Sequence, residues 1–313
     1  MIDTPIAVAG TPRRPGHRGG PAGARRRTTA IAYAFALPFL AIFAVFMLFP
    51  LMASLAMSFT DFRSINIPSP INVDFVGFGQ YVALLRDPEF LRSVANTAYF
   101  VAVGIPLTMV VALALAVALN SGIKRFRTLF RVGFYAPVVT SIVAIAVVWR
   151  FILQPDGLLN GALKLIGVAG PDWLNSTVWA MPALIVMAVW RNMGTLMVIF
   201  LAGLQTIPAD ILEAAEVDGA NGWQRFLRIT LPSLRPTLLF GAVVLSVGFL
   251  QFFEEPFVMT QGGPLGSTLS ISYFTYNQFG FGNYGTASAA SYILFIAIAL
   301  LSIVQFRFFR SKD

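Results

Sequence analysis

The chain has 313 residues, of which 57% are hydrophobic and 12% charged, and its formal net charge is +8; the mean hydropathy is +0.75. That composition is too apolar and too poor in charge for a soluble domain of this length, and it identifies an integral membrane protein. There is no cysteine and one histidine, His17, in a polar basic stretch, which rules out disulfides and argues against cysteine- or histidine-based metal and catalytic sites.

Residues 1–29 are rich in Arg, Gly and Pro and read as a disordered basic cytoplasmic leader, whose Arg13, Arg14, Arg18, Arg25, Arg26 and Arg27 can meet anionic membrane lipid. Twin arginines ahead of an apolar run faintly resemble an export signal. The run is about twice the length of a signal core, however, and reads as a retained first span. Six segments are long and apolar enough to cross a bilayer, which takes about twenty residues: 31–57, 94–120, 132–153, 178–204, 237–260 and 288–308. Pro38, Pro106, Pro137 and Pro182 fall in or near them, which a bundle tolerates because neighbouring helices satisfy the freed backbone groups. No span alternates with period two, so a β-barrel does not compete. The expected fold is all-α integral membrane, with six transmembrane helices in one domain over residues 30–313.

Six crossings place both ends on one side. Lys124, Arg125, Arg127 and Arg131 follow the second span, Arg225, Arg228 and Arg235 follow the fourth, and Arg307, Arg310 and Lys312 end the chain. With the leader arginines they all fall on one face, against Arg63, Arg86, Arg92 and Lys164 opposite, while Arg150 and Arg191 lie within or beside spans. Basic residues concentrate on the cytoplasmic side, so both termini are expected there. Topology thus accounts for the net charge without nucleic acid as a partner.

Between the fourth and fifth spans, within 205–235, residues 213–232 read EAAEVDGANGWQRFLRITLP. Pro208 suits a first helical turn, and Asp210 and Glu213 near that end face the positive pole of a short helix running to Glu216. Ala214 and Ala215 keep its surface low, and Gly219, between Asp218 and Ala220, permits a turn that a Cβ would resist. A second helix from Asn221 places Trp223, Phe226, Leu227 and Thr230 on one side, and Pro232 is expected to end it. An amphipathic helix pair lying on a membrane would share this periodicity. It would not require Glu-Ala-Ala, Gly219, Ile229, Leu231 and Pro232 at these spacings. The segment resembles the cytoplasmic coupling loop of ATP-binding-cassette importer permeases, the part that fits a cleft on the ATPase. The resemblance implies ATPase-coupling roles for Glu213, Ala214, Ala215, Asp218, Gly219, Ala220, Trp223, Phe226, Ile229, Leu231 and Pro232.

The likeness extends over nearly all the chain after the leader. FVGFGQYVALLRDPEFLRSVANT, from Phe75, is similar to the first external loop of carbohydrate-type permeases, and MTQGGPLGST, from Met259, to their last external loop, in the form found in the first-subunit group that includes the maltose permease. The chain departs from the maltose member in lacking extra amino-terminal spans and a large inserted external domain. No Gly-x-x-x-x-Gly-Lys-Ser/Thr phosphate loop occurs, so no cofactor is expected in this chain and ATP with Mg belongs on a partner. The family implies a second permease subunit in a heterodimer, two ATPase subunits, an extracytoplasmic solute-binding protein and a place in the bacterial cytoplasmic membrane. The expected function is ATP-driven, binding-protein-dependent import of a sugar, oligosaccharide or polyol by alternating access, with no enzyme activity in this chain. Glycerol-phosphate uptake is an alternative within the same machinery, and a non-transporting scaffold or sensor is one outside it.

Ionisable groups inside spans are costly and tend to face a wet pathway. Trp190, Arg191 and Asn192 in the fourth span, and Gln251, Phe252, Phe253, Glu254 and Glu255 in the fifth, supply the hydrogen-bonding groups and flat apolar faces that a sugar needs. Trp190 and Gln251 are the leading candidates. The competing possibility is structural: Arg191 with Glu254 or Glu255 as an ion pair that fixes helix packing.

Overall fold

The apolar runs form helices where expected, but two of the six spans are broken rather than straight. The computed structural model describes residues 22–68, 73–121 and 127–309. Residues 1–21 of the expected leader, with Lys124, Arg125, Arg310 and Lys312, lie outside them. Among the described residues the regular structure is helical, apart from one isolated antiparallel bridge between Thr60 and Phe75.

Two compact units divide at Ala53 and Ser54. In the first, α1 (Ala22–Phe43) starts inside the segment expected as leader and continues through Pro38 into a π-helical turn (Ala44–Leu48) and the start of α2 (Phe49–Met57). Its side chains from Ile31 onward are largely exposed, and the rings of Phe39 and Phe43 stack at 6.2 Å.

The second unit holds α3 (Gly79–Leu84), α4 (Pro88–Ser121), α5 (Arg127–Val139), α6 (Ile142–Ile152), α7 (Leu158–Leu165), α8 (Ala180–Gln205), α9 (Ala209–Val217), α10 (Gly222–Arg225), a π-helical turn (Phe226–Thr230), α11 (Leu231–Ser233), α12 (Arg235–Leu250), α13 (Glu254–Met259), α14 (Ile271–Gly280) and α15 (Tyr284–Phe309). α4, α8 and α15 are long, apolar and unbroken, as the spans at 94–120, 178–204 and 288–308 require. Pro182 sits in the first turn of α8, where no intrahelical N–H is needed.

The expected span 132–153 is instead α5 and α6, which meet at 100°. Pro137 removes one hydrogen bond from the ladder, and the Thr140 hydroxyl donates back to the Ala136 carbonyl. Ser141 then leaves helical geometry at ψ 128°, so α6 starts afresh. The expected span 237–260 is interrupted as well. α12 has 16 residues, about 24 Å at 1.5 Å per residue and short of a ~30 Å hydrocarbon core. Residues 251–253 are unwound, and α13 completes the run.

α8 is the axis of the main core. It packs on α4, α5 and α12, and buries Leu184, Met187, Leu196, Met197 and Phe200 almost completely. Helices in lipid gain little from the hydrophobic effect and depend on close approach. A Cβ on Gly194 would stand 2.1 Å from the Phe134 carbonyl oxygen of α5, and one on Gly203 would stand 2.7 Å from the Thr237 hydroxyl of α12. A second cluster gathers Leu84, Phe90, Leu250, Phe274 and Ala290 around α14 and α15. Polar ties join the helices: Gln305 Nε2 donates to Ser246 Oγ at 2.6 Å, and the Ile271 amide donates to Thr97 Oγ1 at 3.1 Å.

Candidate functional site

The α9 to α11 segment is a helix pair locked by three local devices. At the end of α9 the Ala220 amide donates to the Ala215 carbonyl and the Gly219 amide to the Glu216 carbonyl, with Gly219 at φ +81°. This is a Schellman closure, in which the position after the cap must be left-handed and is therefore glycine. Asn221 then caps α10: its side chain accepts from the Gln224 amide at 2.8 Å while the Gln224 side chain accepts from the Asn221 amide at 3.0 Å. Arg225 Nη1 pairs with Glu216 Oε2 across the turn. The geometry corrects two details expected from sequence. Pro208 is the residue that precedes α9 at ψ 135° and not its first turn, and Glu213 lies a turn further in, where the helix dipole acts weakly.

Pro232 also fails to end the second helix, which runs to Ser233 and bends by 66° at Leu234 into α12. The reason lies just upstream. In the π turn the Leu231 amide donates to the Phe226 carbonyl, a wider register that leaves room for the proline ring.

The segment's outer surface is open. Glu213, Ala214, Asp218 and Gly219 are exposed, Val217 is 89% and Trp223 68% exposed, and the Trp223 ring stacks on Phe226 at 5.7 Å. Ala215, Ala220, Phe226, Ile229, Leu231 and Pro232 are half-buried against the segment itself and the adjoining helices. The exposed face is therefore mixed, with Val217 and Trp223 among Glu213, Glu216 and Asp218, and its low relief comes from Ala214 and Gly219.

The second site is a cavity of about 320 Å³ where α4, α6, α8, α12 and α13 meet. Unwinding at residues 251–253 turns Gln251, Glu254 and Glu255 toward Arg191 and Asn192 of α8. Non-helical backbone at membrane depth is tolerated where it lines such a space. Glu255 is 5% exposed, and its Oε2 has no hydrogen-bond partner, nor has Arg191 Nε. The ion pairs found among the described residues do not include Arg191, so the packing pair considered from sequence is not formed. The Asn192 side-chain amide donates to the Ala188 carbonyl at 2.8 Å, leaving its oxygen free to accept. Phe252 is 3% exposed and lies flat on Phe100, with centroids 3.9 Å apart.

The candidate set splits here. Trp190 faces a separate apolar hollow with Trp149, ring centroids 5.8 Å apart, and Phe253 packs among Phe257, Tyr273 and Tyr276. Neither lines the cavity. Thr195 does; it follows Arg191 by one helical turn, a spacing that could have revealed it. Phe100 has no comparable signal, being one apolar residue in the mostly apolar helix α4.

Residues 76–311 match the family described as binding-protein-dependent transport system inner membrane component. The chain belongs to this family. It is a multi-pass membrane component of a transport system, not a catalytic subunit. The permease is 36% identical over 278 residues to the lactose transport system permease protein LacF of Rhizobium radiobacter, covering 87% of this chain and 91% of that one. It is 32% identical to the arabinooligosaccharides transport system permease protein AraP of Bacillus subtilis, covering 89% and 88%. Its fold is similar to a chain in the crystal structure of a bacterial alginate transporter in complex with alginate pentasaccharide-bound periplasmic protein, with a TM-score of 0.79, 25% identity, and coverage of 92% of this permease and 97% of that chain.

Proposed function

We infer that this permease forms half of the membrane path of an ATP-driven importer of a sugar or oligosaccharide. The observation that carries the reading is the cavity at the interrupted fifth span, where Arg191, Asn192, Gln251, Glu254 and Glu255 stand beside the flat ring of Phe252. Several hydrogen-bonding groups converging on one cavity whose floor is the stacked Phe252–Phe100 pair suit a polyhydroxy solute. The names of relatives that carry lactose and arabinooligosaccharides support the same class.

A second permease subunit completes the path, two ATPase subunits hold ATP and Mg, and an extracytoplasmic binding protein delivers the solute. The concentration of basic residues on one side of the chain supports a cytoplasmic position for both termini and for the α9 to α11 segment, within reach of an ATPase. ATP-driven closure of the ATPases moves the segment, the bend at Leu234 passes that motion into α12, and the cavity opens alternately outward and inward. The segment must bind differently in the two ATPase states, since equal contacts would shift nothing.

The test is to purify the solute-binding protein encoded beside this gene, identify the molecule it carries, and reconstitute uptake with the full complex. A carbohydrate transported in an ATP-dependent way is the expected result. A binding protein specific for an amino acid or a peptide overturns the reading.

A further inference from the structure

The cavity carries acidic and basic side chains that do not pair with each other. Glu254 and Glu255 enter from α13 and Arg191 from α8, and these are the ionisable groups in its lining. Glu255 Oε2 and Arg191 Nε are both buried and both without a partner. One needs a hydrogen-bond donor and the other an acceptor, and an unpaired buried polar group is expensive.

We propose, building on the sugar-import reading, that the cavity selects uncharged saccharides and rejects acidic ones, with Glu255 accepting from one solute hydroxyl and Arg191 donating to another. A hydroxyl donates and accepts, so a neutral sugar satisfies both orphaned atoms with the same kind of group. An acidic saccharide keeps hydroxyls of its own, but its anionic group can only accept: it has no proton for Glu255, and anywhere in the cavity it sets a fixed negative charge beside two carboxyls in a poorly screened space. A fold relative is described as importing the acidic polysaccharide alginate, so likeness of fold does not decide the charge class and the lining does.

The full importer with its binding protein, in proteoliposomes, is offered radiolabelled lactose, maltose, trehalose and arabinobiose as neutral probes, and digalacturonate and an alginate disaccharide as acidic ones. Uptake of at least one neutral probe is expected, with every acidic probe at least tenfold slower. Glu255→Gln and Arg191→Gln are each expected to slow the best neutral probe at least fivefold, and Glu255→Gln to raise the acidic-to-neutral uptake ratio. Assembly is read by co-purification, and Glu254→Gln replaces any variant that does not assemble. An acidic probe imported within threefold of the best neutral one overturns the charge selection while leaving sugar import standing, as does a Glu255→Gln complex with wild-type rates and ratio. Import of no saccharide at all overturns the sugar reading, and the selection falls with it.

Discussion

Replacing Gly219 separates backbone strain from crowding, because the structure supplies the first without the second. The residue sits at φ +81°, and a Cβ built there meets no atom within 4 Å. Any effect of substitution is therefore conformational. A left-handed backbone costs an L-residue about 1–2 kcal/mol, with β-branched residues at the high end and Asn near the low end because it tolerates this region. The capping box at Asn221 contributes about 1 kcal/mol and the exposed Arg225–Glu216 pair up to about 1. The strain of Val is thus as large as the local devices that hold the turn. At 1.4 kcal/mol per factor of ten, a strain of about 2 kcal/mol means that Gly219→Val should reduce the fraction of correctly shaped loop by about thirtyfold. Gly219→Ala should cost a few-fold, and Gly219→Asn should have little effect. The assay is ATP hydrolysis stimulated by the loaded binding protein, with solute uptake, in complexes purified through the ATPase subunit. Stimulation and uptake should fall together in the order Asn, Ala, Val while the permease still reaches the membrane. If Asn is as damaging as Val, or Val is silent, the left-handed turn is not what shapes the coupling segment.

Three further outcomes follow from the same geometry. Gln251→Ala should reduce uptake at least fivefold in an assembled complex, whereas Trp190→Ala should have a smaller effect because Trp190 faces another hollow; equal losses would return Trp190 to the pathway. A Cβ at Gly104 would stand 2.5 Å from the Phe249 ring, which lines the cavity, so Gly104→Ala should push that ring and alter uptake kinetics at normal assembly, while Gly194→Val, with backbone in its way, should lower the yield of folded permease. A reporter fused after Asp313 should be active in the cytoplasm and one inserted near Gly263 outside, and finding both on one side would refute the six-span topology.

The number of spans and their approximate places were legible in sequence because about twenty apolar residues in a row have one stable solution in a bilayer, a helix that satisfies its own backbone. The coupling segment was legible for a related reason. Its turn depends on local bonds, and Ala215, Gly219, Ala220, Asn221 and Gln224 are all within nine residues of Glu216. The breaks were only half visible. Pro137 announced one but gave no angle, and in the run from Thr237 to Thr260 the signal for the break was Pro256, which sits in the first turn of α13 and fits a restart just after residues 251–253. Pro232 pointed to an ending that the π register upstream removed.

Which polar residues share a space was a tertiary matter. On α8, Trp190 and Arg191 are adjacent in sequence, yet one helical step of 100° sends the first toward Trp149 and the second into the cavity. Arg191 meets Glu254 and Glu255 only because α12 stops at Leu250 and α13 restarts across the gap. Residue type determined that these groups were costly in a membrane and had to face something. The path of the broken helices decided what they face, since that depends on packing between segments far apart in the chain, which local propensity does not encode.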